Sequence, residues 1–262
     1  MSLANASAWA MESMQLPGIS RTRATSDHPL LIGASPGTTG TMSLYYALMT
    51  LGVSTVHYSR QFNASSGTES TSYGQDPPGG PVDFLQPLFR KEHPAPPVDL
   101  SLARSTDLRF FSATEALLDT PGMELLFDLL ATFPNARVLI SSRDPLTWAR
   151  SRRSRHPGDR VPMFELLGFD VAMAQLSEEQ AATAFVLWHK AVTASVPRER
   201  LLVVDLFQMR SEELWDRLAE FVGKPSPRAP DGSVPPFPHL HYGEDMLMRR
   251  TVSPEGSPTE PT

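Results

Sequence analysis

The chain has 262 residues with 23 Lys+Arg against 29 Asp+Glu, a net charge of −6 that argues against general nucleic-acid binding. It has no cysteine, which excludes disulfides, cysteine-ligated zinc, iron–sulfur clusters and a thiol nucleophile. No apolar run approaches the ~18 residues of a membrane span and no signal-peptide pattern opens the chain, so no membrane span and a cytoplasmic location are expected.

Residues 1–28, rich in Ala, Ser, Thr and Met, read as a disordered or organelle-targeting tail. "PLLIG" (29–33) reads as a first strand, and "TGTMSLYYALMTLG" (39–52) as a helix closed by Gly52. "STVHY" (54–58) reads as a short second strand. Residues 60–105 break the pattern, and "NASSGTESTSYGQDPPGGP" reads as a long flexible insertion. The sheet pattern resumes at "EALLD" (115–119), with a helix expected after Pro121.

"ARVLIS" (136–141) is the clearest buried strand, and "PLTWARSRRS" (145–154) begins the next helix. "SEEQAATAFVLWHKAVTASV" (177–196) is a strong helix with Ser177 and Gln180 as a capping box. "RLLVVD" (200–205) is another buried strand, and "SEELWDRLAEFVG" (211–223) an amphipathic helix expected to be capped by Ser211. The proline-rich stretch from Lys224 is expected to drape over the domain or to be disordered. Short β-branched strands alternating with helices predict an α/β fold, three-layer, with a mostly parallel sheet of about five strands. One domain over 29–240 follows, with a C-terminal tail over 241–262.

In such sheets ligands bind at the carboxyl ends of the strands. Gly33–Thr41, Asp119–Pro121, Ser142–Arg143 and Asp205 all fall there. "LLIGASPGTTGTMSL" (30–44) runs from a strand through a glycine-bearing turn into a helix, which presents backbone N–H groups to an anion. Ser35, Gly37, Thr38, Thr39, Gly40, Thr41, Met42 and Ser43 are the candidate phosphate cradle; the alternative is a strand-to-helix turn with no ligand. No lysine or arginine stands between Ser26 and Ser59, so the loop lacks the cation of a nucleotide-hydrolysing P-loop. The six arginines between Ser141 and Arg160 suggest instead a local anion site.

"FPNARVLISSRDPLTWARS" (133–151) couples a strand to Arg-Asp-Pro and places a serine eight residues after the arginine. This resembles the 3′-phosphate-binding element of the sulfotransferases that use 3′-phosphoadenosine-5′-phosphosulfate. "PGTTGTMSL", the Asp119-Thr120-Pro121 turn and "PPFPHL" (235–240) resemble further motifs of the sulfotransferase-like branch of the P-loop superfamily. The resemblance covers roughly residues 29–58 and 115–240. It implies that Arg143 and Ser151 clamp the 3′-phosphate of that donor, a co-substrate, and that no metal is required. The acceptor, an alcohol or amine of a small molecule or glycan, is not readable.

The family usually has a lysine or arginine beside Thr-Gly-Thr. Here Thr38 stands in that place with Gly37 before it, and Arg150, Arg152, Arg249 and Arg250 are the candidate substitutes. The alternatives are a degenerate nucleotide-binding protein of the same fold, or a nucleotide kinase or NTPase. Sulfuryl transfer needs a base near the acceptor. Asp119 is the first candidate, against a role as helix N-cap, and His57 at the end of the second strand is the other. His239 is a candidate cover for the site, whereas His189 and Trp148 read as packing residues.

Overall fold

The computed structural model describes residues 30–57, 60–71, 108, 114–120, 122–159, 161 and 171–240. Both tails and most of residues 72–113 lie outside them, as do Pro121, Arg249 and Arg250.

In chain order the elements are β1 (Leu31–Gly33), α1 (Thr41–Thr50), β2 (Thr55–His57), β3 (Arg60–Asn63), β4 (Thr68–Thr71), β5 (Ala116–Leu118), α2 (Leu126–Thr132), β6 (Arg137–Ser142), α3 (Pro145–Arg155), α4 (Glu178–Ser195), β7 (Leu201–Asp205) and α5 (Ser211–Val222). Among the described residues the sheet has seven strands in the order β4-β3-β2-β5-β1-β6-β7. Five of them, β2-β5-β1-β6-β7, run parallel. β3 and β4 add an antiparallel hairpin beyond β2.

That hairpin corrects the reading of the insertion. Residues 60–71, expected as the start of a flexible segment, extend the sheet instead. Alternation in "RQFN" was too short to register against the Ser- and Gly-rich context, but edge pairing with β2 supplies the backbone partners. Tyr45 Oη on α1 donates to Glu69 Oε1 of β4 at 3.1 Å, tying the hairpin to the first helix.

The strands are buried on both faces, so their side chains divide by alternation. Leu30, Ile32, Val138 and Ile140 join a core with Leu126 and Leu129 of α2 and Trp188 and Val192 of α4. Leu31, Leu139 and Leu202 face the other way, against Leu44 and Leu48 of α1 and Trp215 and Leu218 of α5. The result is the three-layer α/β fold. With strands of only three residues at β1, β2 and β5, burial holds the sheet more than ladder length does, since each fully buried leucine contributes about 2 kcal/mol.

Local signals set the helix ends. Asp144 caps α3, its Oδ1 accepting from Thr147 N at 2.8 Å, and Pro145 fills the first turn. Ser177 and Gln180 form the expected capping box at α4. α2 starts later than expected, at Leu126, after a turn over 122–125. The cap position of α5 belongs to Arg210 rather than Ser211. Ser211 Oγ accepts from Phe237 N at 3.1 Å instead.

The stretch after α5 packs down. Trp215 Nε1 donates to Pro235 O at 2.9 Å, the Trp215 and Phe237 rings lie 4.8 Å apart, and Leu240 N donates to Ser43 Oγ at 3.0 Å. No helix among the described residues is long and apolar enough to cross a membrane.

Candidate active site

All five parallel strands end at one rim. Across the sheet, the residues at or just past these ends read His57, Asp119, the loop after β1, Arg143 and Asp205. The loop joins the strand that pairs with β5 on one side and β6 on the other, so it sits at the middle of the rim.

The loop is tied back by buried groups. Trp188 Nε1 donates to Ala34 O at 2.7 Å and Trp148 Nε1 to Gly37 O at 3.0 Å. Trp148 itself stacks on Phe185 at 4.6 Å, so the reading of Trp148 as a packing residue holds, with an added part in fixing the loop. Thr39 Oγ1 donates to Pro36 O at 2.8 Å and lies 2.7 Å from Ser141 Oγ. Ser35 Oγ accepts from Ser141 N at 2.5 Å. Ser35 and Thr39 therefore brace the turn through their hydroxyls, while Ser43 Oγ holds the tail at Leu240.

Gly40 takes a left-handed backbone (φ 90), and an added Cβ would strike Leu206 Cδ1 at 2.5 Å, so glycine is demanded there twice over. Thr38 is also left-handed (φ 68) despite its β-branched side chain, and its buried Oγ1 has no partner among the described residues. Residues 36–39 form a tight turn, and the backbone N–H groups beyond it, from Gly40 to Ser43, meet no acceptor among the described residues. Those of Thr41, Met42 and Ser43 are the unsatisfied first-turn donors of α1. Such a run of free donors ahead of a helix suits an anion.

On the β6 side, Arg143 Nη1 donates to Thr38 O at 3.0 Å, and its guanidinium lies 4.5 Å over the Phe207 ring. Among the described residues no carboxylate lies within ion-pair distance of Arg143; Asp144 and Asp205 act on it only through charge at a longer range. Burial lowers its pKa from the ordinary arginine value, with Arg155 pushing the same way. Ser151 follows two helical turns along α3, half-buried. His239 meets Phe207 edge-on at 5.5 Å.

Of the candidate loop cations, Arg150 turns outward to Glu178 at 2.7 Å. Arg152 turns inward. It pairs with Asp159 at 2.5 Å and packs against Gly37.

On the β2–β5 side three side chains converge. Thr41 Oγ1 donates to Asp119 Oδ2 at 3.1 Å. His57 Nε2 lies 3.1 Å from Thr41 Oγ1 and 3.4 Å from Asp119 Oδ2. With Thr41 Oγ1 donating to Asp119, hydrogen-bond bookkeeping makes His57 Nε2 the N–H donor to Thr41 Oγ1. Asp119 accepts from Thr41 and faces His57 across the same gap. It does not cap α2, whose cap position is Leu125. A left-handed backbone (φ 61) and a bond from Thr120 N to its own Oδ1 at 2.9 Å aim it into the rim.

Phe207, Asp159, Trp148 and Trp188 carry no local motif for these tasks. Only position signalled Phe207, which follows β7 onto the same rim.

A family model described as a sulfotransferase domain matches residues 30–156 and 155–246. The tRNA N6-adenosine threonylcarbamoyltransferase of Paracoccus denitrificans (strain Pd 1222) is 31% identical over 120 residues, 46% of this chain. The chain spans only 31% of the length of that relative.

Proposed function

The chain belongs to the sulfotransferase domain family, and from that premise we propose that it moves a sulfuryl group from 3′-phosphoadenosine-5′-phosphosulfate to a hydroxyl or amine of a small-molecule or glycan acceptor. One observation carries the donor half of this reading. A partnerless Thr38 hydroxyl, free loop N–H groups and a guanidinium without a carboxylate, Arg143, converge on one turn. Such groups are costly to desolvate unless a ligand satisfies them.

In this reading the N–H groups from Gly40 to Ser43 and the Thr38 hydroxyl hold the 5′ end. Arg143 and Ser151 hold the 3′-phosphate, and Phe207 keeps Arg143 oriented from below. The donor supplies the sulfuryl group. As the acceptor oxygen or nitrogen bonds to sulfur, the bond to the bridging phosphate oxygen breaks and the nucleotide leaves as the 3′,5′-bisphosphate. The acceptor proton goes to Asp119. Thr41, donating to the carboxylate, and His57, bonded to Thr41, are positioning residues that fix the oxygen that receives the proton.

Thermal stabilisation by adenosine 3′,5′-bisphosphate, ATP and GTP tests the donor half. A ligand at 100 times its dissociation constant adds about 2.7 kcal/mol. Stabilisation by the bisphosphate is expected, and stabilisation by ATP alone overturns the reading. Transfer from labelled donor across a broad panel of alcohols and amines tests turnover. Bisphosphate binding with no transfer to any acceptor favours a nucleotide-binding protein that has lost catalysis.

A further inference from the structure

The loop carries no cation of its own, yet sulfuryl transfer builds negative charge on the oxygen that leaves, which calls for one nearby. Gly37 shows where it comes from. Its backbone is not left-handed, so conformation does not demand a glycine there. Space does. A Cβ at residue 37 would overlap Arg152 Nη1 and lie 3.2 Å from Cζ and 3.4 Å from Nη2 of the same guanidinium. The arginine fills the volume that a loop side chain at 37 would occupy.

We propose that Arg152 supplies from α3 the positive charge that the loop lacks, binding the 5′-phosphosulfate end of the donor and neutralising the charge that develops there. The assignment rests on the sulfotransferase reading. Arg152 is held for this task. Its side chain is 16% exposed, and Asp159, 13% exposed, grips it at 2.5 Å. Asp159 Oδ2 also lies 3.6 Å from His156 Nδ1. The indole of Trp148, on the same helix, fixes the Gly37 carbonyl beside it. α3 therefore serves both ends of the nucleotide, the 3′-phosphate through Ser151 and the 5′ end through Arg152. Gly37 and Arg152 form a matched pair in which the glycine leaves room for the cation.

The test compares adenosine 3′,5′-bisphosphate with adenosine 3′-monophosphate by titration calorimetry. In the wild type the bisphosphate binds more tightly. Arg152→Gln, which keeps the packed stem, and Arg152→Ala are expected to cut that preference by tenfold or more while 3′-monophosphate binding stays within about threefold. Asp159→Asn, which leaves the cation in place, keeps the preference. Gly37→Lys in the Arg152→Ala background restores part of it. An unchanged preference in the Arg152 variants overturns the assignment and leaves the sulfotransferase reading standing. Equal losses in the Arg152 and Asp159 variants also overturn it, showing a clip that holds the loop. A wild type that binds neither nucleotide overturns the underlying reading and the assignment together.

Discussion

The two sides of the rim differ in how their polar groups are satisfied. On the β2–β5 side, Thr41 Oγ1 bonds to both His57 and Asp119 at 3.1 Å, and His57 lies 3.4 Å from Asp119. On the β1–β6 side, among the described residues, Thr38 Oγ1 has no partner and Arg143 bonds a carbonyl and lies over a ring, with Asp144, Asp205 and Arg155 acting on it only through charge at a distance. In the proposed reading, this bonded set takes up the acceptor proton. Open groups stand ready for an anion, because only a ligand repays their burial. Proton chemistry and donor binding are thus assigned to neighbouring strands of one sheet, with the loop after β1 between them. Thr41 belongs to both, its hydroxyl to the network and its N–H to the helix start.

The sharpest way to break that division is at Asp119. Asp119→Asn keeps the shape and removes the proton acceptor. Transfer is expected to fall by about 10²- to 10⁴-fold, with bisphosphate affinity within about threefold of wild type. Both are read from labelled-donor assays and calorimetry. The mirror experiment is Arg143→Ala, expected to weaken the bisphosphate by about 10- to 100-fold, the range for hydrogen bonds to a charged group.

The scaffold between the two halves gives smaller effects. Trp188→Phe leaves the buried Ala34 carbonyl unsatisfied. A loss of about 1–3 kcal/mol in urea unfolding is expected, with Arg143-dependent binding weakened only through the loop.

The smallest effect concerns pH. Burial pushes His189 down to about 4. The folded state therefore binds fewer protons than the unfolded state between pH 4 and 6.5. Its contribution is present above pH 6.5 and lost as pH falls through that window. From pH 7.5 to 5.5 the loss is about 1 kcal/mol, measured by denaturant unfolding. His189→Phe should flatten that part of the slope. His156, also lowered by burial and by Arg152, adds in the same direction. An unchanged slope in His189→Phe would show that other groups dominate.

Much of this molecule is legible in its sequence because the signals are local. Buried strands such as "ARVLIS", the Ser177 capping box and the glycine turn after β1 act over a few residues, and all stand where expected. Asp119 and His57 were legible as strand-end residues. Their meeting at Thr41 was not, because it depends on β5 inserting between β2 and β1, a matter of strand order. The β3–β4 hairpin was hidden by composition: Ser- and Gly-rich residues accept strand geometry when an edge offers partners. Arg152 was one of several arginines on a helix until packing separated it from Arg150. Helical phase alone does not say which neighbour fills the space over Gly37.

The most direct test of the division is titration of adenosine 3′,5′-bisphosphate into wild type, Arg143→Ala and Asp119→Asn under one set of conditions. Near-equal affinity is expected for wild type and Asp119→Asn, with a loss of about 10-fold or more for Arg143→Ala. Equal affinity in all three, or a loss confined to Asp119→Asn, would contradict it.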